Sequence, residues 1–136
     1  MSTIQRVTGL YKIISDSPNT TINRSSDDYG LIYSLDDSNI YILYSMMLDF
    51  NNENVMVKIE IDDRTVFEFS LFELNNITNQ FQNSPQVVHL DRNNDAFIFK
   101  PSLPILVRRN IKIYAKATTN SVSRIFEQYH IEVSEE

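Results

Sequence analysis

The run Val55-Met56-Val57-Lys58-Ile59-Glu60-Ile61-Asp62-Asp63-Arg64-Thr65-Val66-Phe67-Glu68-Phe69 places apolar residues at alternate positions on either side of two adjacent aspartates. Side chains two apart on a strand share a face. Val55, Val57, Ile59 and Ile61 therefore form one apolar stripe, with Met56, Lys58 and Glu60 opposite; Thr65, Phe67 and Phe69 alternate in the same way with Val66 and Glu68. Aspartate suits a tight turn, because it tolerates left-handed backbone and bonds nearby main chain. The stretch reads as a β-hairpin with one face turned to a core.

The same period continues outward. Ile111, Ile113 and Ala115 alternate with Lys112, Tyr114 and Lys116. Strands are expected near 4–14, 30–35, 40–48, 54–61, 65–69, 86–90, 96–100, 105–108, 110–117 and 125–133. Asn- and Asp-rich turns separate them: Asp36-Asp37-Ser38-Asn39, Asn51-Asn52-Glu53-Asn54 and Asn93-Asn94. In the 40–48 strand, Ile40, Ile42, Tyr44, Met46 and Leu48 would share one face, with Tyr41, Leu43 and Met47 on the other. A strand apolar on both faces is covered on both sides or meets a partner. Residues 15–28 read as a polar loop. Ser70 followed by Glu73 resembles a capping box, which predicts one short helix over about 71–78. Pro101 and Pro104 mark a corner or a sheet edge. The terminal strand, Arg124 to Ser134, carries Glu127 and Glu132 and reads as a guarded edge or as one that pairs with a neighbouring subunit. The fold expected is all-β: an antiparallel, jelly-roll-like β-sandwich with one short helix, in a single domain over 1–136.

Composition narrows the chemistry. A chain of 136 residues with 42% hydrophobic content can close its own core. With no cysteine, disulfides, thiolate nucleophiles and thiolate zinc sites are all excluded. No apolar run follows a basic start, and Ile40 to Leu48 is too short to span a bilayer, so a soluble domain with no membrane contact is expected. The net charge of −6 is unevenly placed. Segment 92–124 holds Arg92, Lys100, Arg108, Arg109, Lys112, Lys116 and Arg124 against the single acid Asp95, which makes it +6 and the remainder −12. Such a cluster either forms a binding face or meets the acidic part of the chain inside the fold.

Motifs for catalysis are missing. Two glycines cannot build a phosphate loop or a nucleophile elbow. His89 and His130 sit in expected strands without partners at metal-binding or catalytic spacing. Asp91, Asn93 and Asp95 match the start of a calcium loop, but Ala96 and Ser102 stand where its glycine and final acid belong. The doublets Asp27-Asp28, Asp36-Asp37 and Asp62-Asp63 read as solvated turns. Neither an enzyme, a cofactor nor a metal is expected. The residues that could bind a partner are Arg108, Arg109, Lys112, Tyr114 and Lys116. One tyrosine among lysines is a thin platform for stacking bases, so nucleic acid is the weaker option.

The segment from Val88 to Ala117, Val-His-Leu-Asp-Arg-Asn-Asn-Asp-Ala-Phe-Ile-Phe-Lys-Pro-Ser-Leu-Pro-Ile-Leu-Val-Arg-Arg-Asn-Ile-Lys-Ile-Tyr-Ala-Lys-Ala, resembles the C-terminal half of small β-sandwich accessory proteins of tailed-phage virions. In both, a Phe-Lys-Pro turn leads to a Pro-Ile strand, and an alternating Asn-Ile-Lys-Ile strand follows. The resemblance implies a β-sandwich that decorates the capsid or sits at the neck or tail, as an oligomer or bound to a symmetric lattice. Its partners would be other virion proteins, and its location the virion, assembled in the host cytoplasm. No catalytic residue carries over. The alternative is a carbohydrate- or receptor-binding sandwich, which would cluster some of Tyr29, Tyr33, Tyr41 and Tyr114 on one flat face.

Overall fold

The computed structural model describes residues 10–22, 29–50, 54–71, 73, 87–91, 96–101, 103–117 and 124–135. Its strands are β1 (Leu10–Asp16), β2 (Thr20–Ile22), β3 (Gly30–Leu35), β4 (Tyr41–Phe50), β5 (Val55–Ile61), β6 (Arg64–Ser70), β7 (Val87–Asp91), β8 (Ala96–Phe99), β9 (Ile105–Val107), β10 (Ile111–Ala117) and β11 (Arg124–Glu135). Every pairing is antiparallel. The larger sheet runs β1-β11-β4-β8-β7, with β2 beside β11 and β9 beside β4; the smaller runs β3-β10-β5-β6. The protein is an all-β sandwich.

Alternation builds the core. Val55, Val57, Ile59 and Ile61 of β5 and Ile111, Ile113, Ala115 and Ala117 of β10 are buried, while the residues between them are half-exposed. The larger sheet answers with Leu43, Met46, Leu48, Phe97, Phe99, Phe126, Ile131 and Val133. Aromatic contacts tie the two sheets together: Phe67 of β6 lies 5.3 Å from Phe99 of β8, and Tyr33 of β3 lies 4.6 Å from Tyr129 of β11, centroid to centroid. Each fully buried side chain of this size contributes about 1.5–3 kcal/mol.

Strand β4 departs from strict period two. Leu43 pairs with Val133 and Ser45 with Glu132, so Tyr44 is an extra residue and the faces exchange there. The inward set is Tyr41, Leu43, Met46, Leu48 and Phe50, not the uninterrupted even-numbered set expected from the sequence. Both faces look apolar in the sequence because the core stripe changes parity at the bulge. The outward Ile42, Tyr44 and Met47 are only half-buried. Opposite the bulge, Pro101 and Pro104 separate β8, which pairs with Met46–Asp49, from β9, which pairs with Tyr41–Leu43.

Other expectations are corrected as well. Strand β2 lies inside the expected polar loop, anchored by buried Ile22 and paired with Arg124–Phe126. Strand β11 is not an edge: it lies between β1 and β4, its Glu135 bonded to Lys12 at 2.9 Å and its Glu132 to the Tyr11 hydroxyl. Strand β1 begins at Leu10, and the expected positions 4–9 lie outside the described residues. Leu71 and Glu73 have helical backbone, and the Glu73 amide donates to the Ser70 hydroxyl at 3.4 Å. The rest of the expected helix, 72 and 74–78, lies outside the described residues.

Candidate functional site

The β5–β6 hairpin ends in two left-handed residues, Asp62 at φ 54° and Asp63 at φ 67°. Consecutive left-handed residues match the twist of a two-residue hairpin. The turn does more than reverse the chain. Asp62 Oδ1 accepts the amides of Arg108 at 3.1 Å, Arg109 at 2.6 Å and Asn110 at 3.1 Å, while Oδ2 accepts Arg108 at 3.0 Å. In return, the Asp62 amide donates to the Asn110 carbonyl at 3.0 Å, and Arg109 Nη2 donates to the Asp62 carbonyl at 3.1 Å. Successive amides around one carboxylate form an anion-holding concavity, filled here by the chain itself. Partial burial raises the Asp62 carboxyl's pKa, but the three amides and the Arg109 charge outweigh it and hold it below the usual carboxylate range. The hairpin tip and the β9–β10 turn are thereby fixed as one unit.

Of the predicted binding residues, Arg108 and Arg109 sit on this turn and Lys112, Tyr114 and Lys116 follow on the outer face of β10. Arg109 and Lys112 both reach Asp63, at 3.5 and 3.8 Å. Farther along the face, Lys58 Nζ stands 4.7 Å from the Tyr29 ring centroid and 4.8 Å from that of Tyr114, and Lys116 lies 4.7 Å from the Tyr29 ring. Tyr29 donates its hydroxyl to Glu68 at 2.5 Å, and Lys58 pairs with Glu60 at 3.7 Å. Part of the basic segment thus meets acids from β5, β6 and their turn. Pairs this exposed are worth about 0–1 kcal/mol each. Arg108 has no acidic partner among the described residues, and neither does Arg64.

A cleft of about 510 Å³ opens beside the turn, lined by Ile61, Asp62, Arg64, Val66, Ile105, Leu106, Arg108 and Arg109. Neither Asp62 nor Arg64 was singled out for binding from the sequence, since their proximity to Arg108 depends on pairing across distant strands.

The four candidate tyrosines divide. Tyr29 and Tyr114 share the outer face of the smaller sheet, whereas Tyr33 stacks inward on Tyr129 and Tyr41 is buried. His130 is exposed on β11, and His89 lies on β7, three strands away along the sheet order, so the two do not share a pocket. Residues 92–95 of the calcium-like stretch lie outside the described residues; among the described residues no group of acids and histidines could hold a metal.

No family model and no curated protein matches the sequence. Among solved structures, one similar chain belongs to the complex of the Aeromonas sobria serine protease with its chaperone: TM-score 0.49, 4% identity, over 98% of this chain and 28% of that one. The serine protease of Aeromonas sobria is also similar, at TM-score 0.39 and 6% identity, over 98% and 29%. The chain spans less than a third of either, and likeness at this level assigns no activity.

Proposed function

We propose that this domain is a non-enzymatic structural or accessory protein of a tailed-phage particle, held to capsid, neck or tail components by the end that carries Arg108 and Arg109. The observation that carries the reading is the construction of that end. Asp62 clamps the main chain of residues 108–110, so Arg108 is displayed from a fixed turn with no acidic partner among the described residues. The chain outside segment 92–124 is strongly acidic, and a fixed basic end suits an acidic partner surface.

The strand order also supports it. Numbering the main strands in sequence as one to eight (β1, β3, β4, β5, β6, β8, β10 and β11), the sheets run 1-8-3-6 and 2-7-4-5. We read this as jelly-roll topology, which recurs in viral capsid and lectin domains; that support is by analogy of fold. The partners are then other virion proteins, met as an oligomer or on a lattice.

Replacing Arg108 and Arg109 together by glutamate tests the reading. Asp62 holds main-chain amides, so the fold survives with a stability change of about 0.5 kcal/mol or less. The double variant should be lost from assembled particles, and normal incorporation would overturn the proposal. One observation favours a second reading, carbohydrate or receptor binding: Tyr29 and Tyr114 flank Lys58 on one outer face. Glycan binding abolished by Tyr114→Ala would support that reading instead.

A further inference from the structure

We infer that the cleft beside the Asp62 clamp receives an extended acidic peptide of the partner, with a carboxylate against Arg64 and Arg108 and an aliphatic side chain beside Val66 and Leu106. The inference rests on the partner-binding reading above and gives the partner's chemistry. The cleft's lining contains three arginines against one carboxylate, that of Asp62, which is already occupied by three main-chain amides. Arg109 is partly engaged by the Asp62 carbonyl and by Asp63. Arg64 and Arg108 lack acidic partners among the described residues, so an incoming anion meets two guanidiniums that need not first break an ion pair. Guanidinium binds carboxylate through two parallel N–H donors, which favours it over a diffuse point charge for this task.

The rest of the lining is aliphatic: Ile61, Val66, Ile105 and Leu106. Val66 and Leu106 are 38% and 40% exposed, enough to offer apolar contact. No aromatic ring lines the cleft, so it lacks the stacking platform on which single-stranded nucleic acid is held. The bordering strands also suit an extended chain. Strand β6 ends the smaller sheet, and β9 pairs only with β4 among the described residues. Each leaves main-chain donors and acceptors of the kind that a peptide uses when it adds along a sheet edge.

The test is fluorescence anisotropy with a labelled hexapeptide of alternating glutamate and leucine. A glutamine–leucine peptide and a short oligothymidylate serve as the other probes, against wild type and Arg64→Glu. The glutamate peptide should bind wild type and weaken with salt. Binding should fall at least about tenfold both with the glutamine peptide and in Arg64→Glu, as loss of a charge-assisted contact requires. Thermal melting of Arg64→Glu should match wild type, since that side chain is exposed. No binding of the glutamate peptide, equal affinity for the glutamine peptide, tighter binding of the oligothymidylate, or an unchanged Arg64→Glu would each overturn the inference. Particle incorporation separates the two proposals. If Arg64→Glu is incorporated normally while Arg108→Glu with Arg109→Glu is lost, the partner-binding reading stands and the cleft falls. If both variants are incorporated normally but the peptide binds, the reading falls and the peptide site stands.

Discussion

Replacing Asp62 with asparagine isolates the charge in the clamp. Asparagine tolerates the left-handed φ of 54° and keeps one acceptor oxygen, so neither the turn geometry nor most of the bonds need change. A hydrogen bond to a charged group contributes about 1.5–3 kcal/mol and a neutral one about 0.5–1.5. Three amides donate to Asp62, so about 1 kcal/mol per bond is at stake before solvent screening and coupling between neighbouring bonds reduce the sum. Asp62→Asn should therefore cost about 1–2 kcal/mol. Asp62→Ala loses the acceptor and adds about 1–2 kcal/mol for a left-handed alanine, for a total of about 3–4 kcal/mol. Urea unfolding at neutral pH measures both, with Asp63→Asn as the control; its exposed ion pairs should make it nearly silent, within about 0.5 kcal/mol. The Asp62 carboxyl is depressed in the folded state. Its contribution is present above the ordinary aspartate value of 3.8 and lost as pH falls from there through the folded value. The gap between wild type and Asp62→Asn should stay constant from neutral pH down to about 5 and close in acid. Equal losses for Asp62→Asn and Asp63→Asn, or a gap indifferent to acid, would refute the clamp.

Two further expectations address the core and the tyrosines. If Tyr44 is the bulged residue, Met46→Lys buries an unpaired charge and should cost more than about 4 kcal/mol. Met47→Lys, on the outer face, should cost about 1 kcal/mol or less, because its stem can lie along the surface; chemical denaturation of the pair distinguishes the bulge from uninterrupted alternation. Burial raises the pKa of Tyr33, Tyr29 and Tyr129, for Tyr29 with help from its bond to Glu68. Their folded values lie above the ordinary 10, so the stability they lend is full below pH 10 and falls as pH rises beyond it. Absorbance titration should show these phenols ionising together with alkaline unfolding, and independent ionisation near pH 10 in a still-folded protein would contradict that burial.

The parts of the fold that could be read from the sequence are those written in local spacing. The 55–70 hairpin shows its alternation, its turn residues and its register within one short stretch, and β10 repeats the pattern. Strand β4 was readable as a strand but not in its facing, because a single extra residue at Tyr44 exchanges the two sides without leaving a mark in composition. Strand β2 was hidden: three residues with one buried isoleucine give no period to detect. The position of β11 between β1 and β4 followed from neither its acids nor its length, since the partners of a strand are set by the whole topology. The basic residues were found by counting charge. Their setting was not, because the carboxylate that orders them lies 46 to 48 positions earlier in the chain. The Asp62-Asp63 doublet, read as a solvated turn, is a turn and also the clamp of the candidate site.

The most direct measurement is the content of purified particles from cells that carry this gene, quantified by mass spectrometry against an isotope-labelled copy of the chain. Membership of the particle predicts a fixed number of copies per particle, in simple ratio to a coat, neck or tail protein and unchanged by further purification. A chain that stays in the lysate, or that copurifies in trace amounts that dilute away with each step, would contradict it.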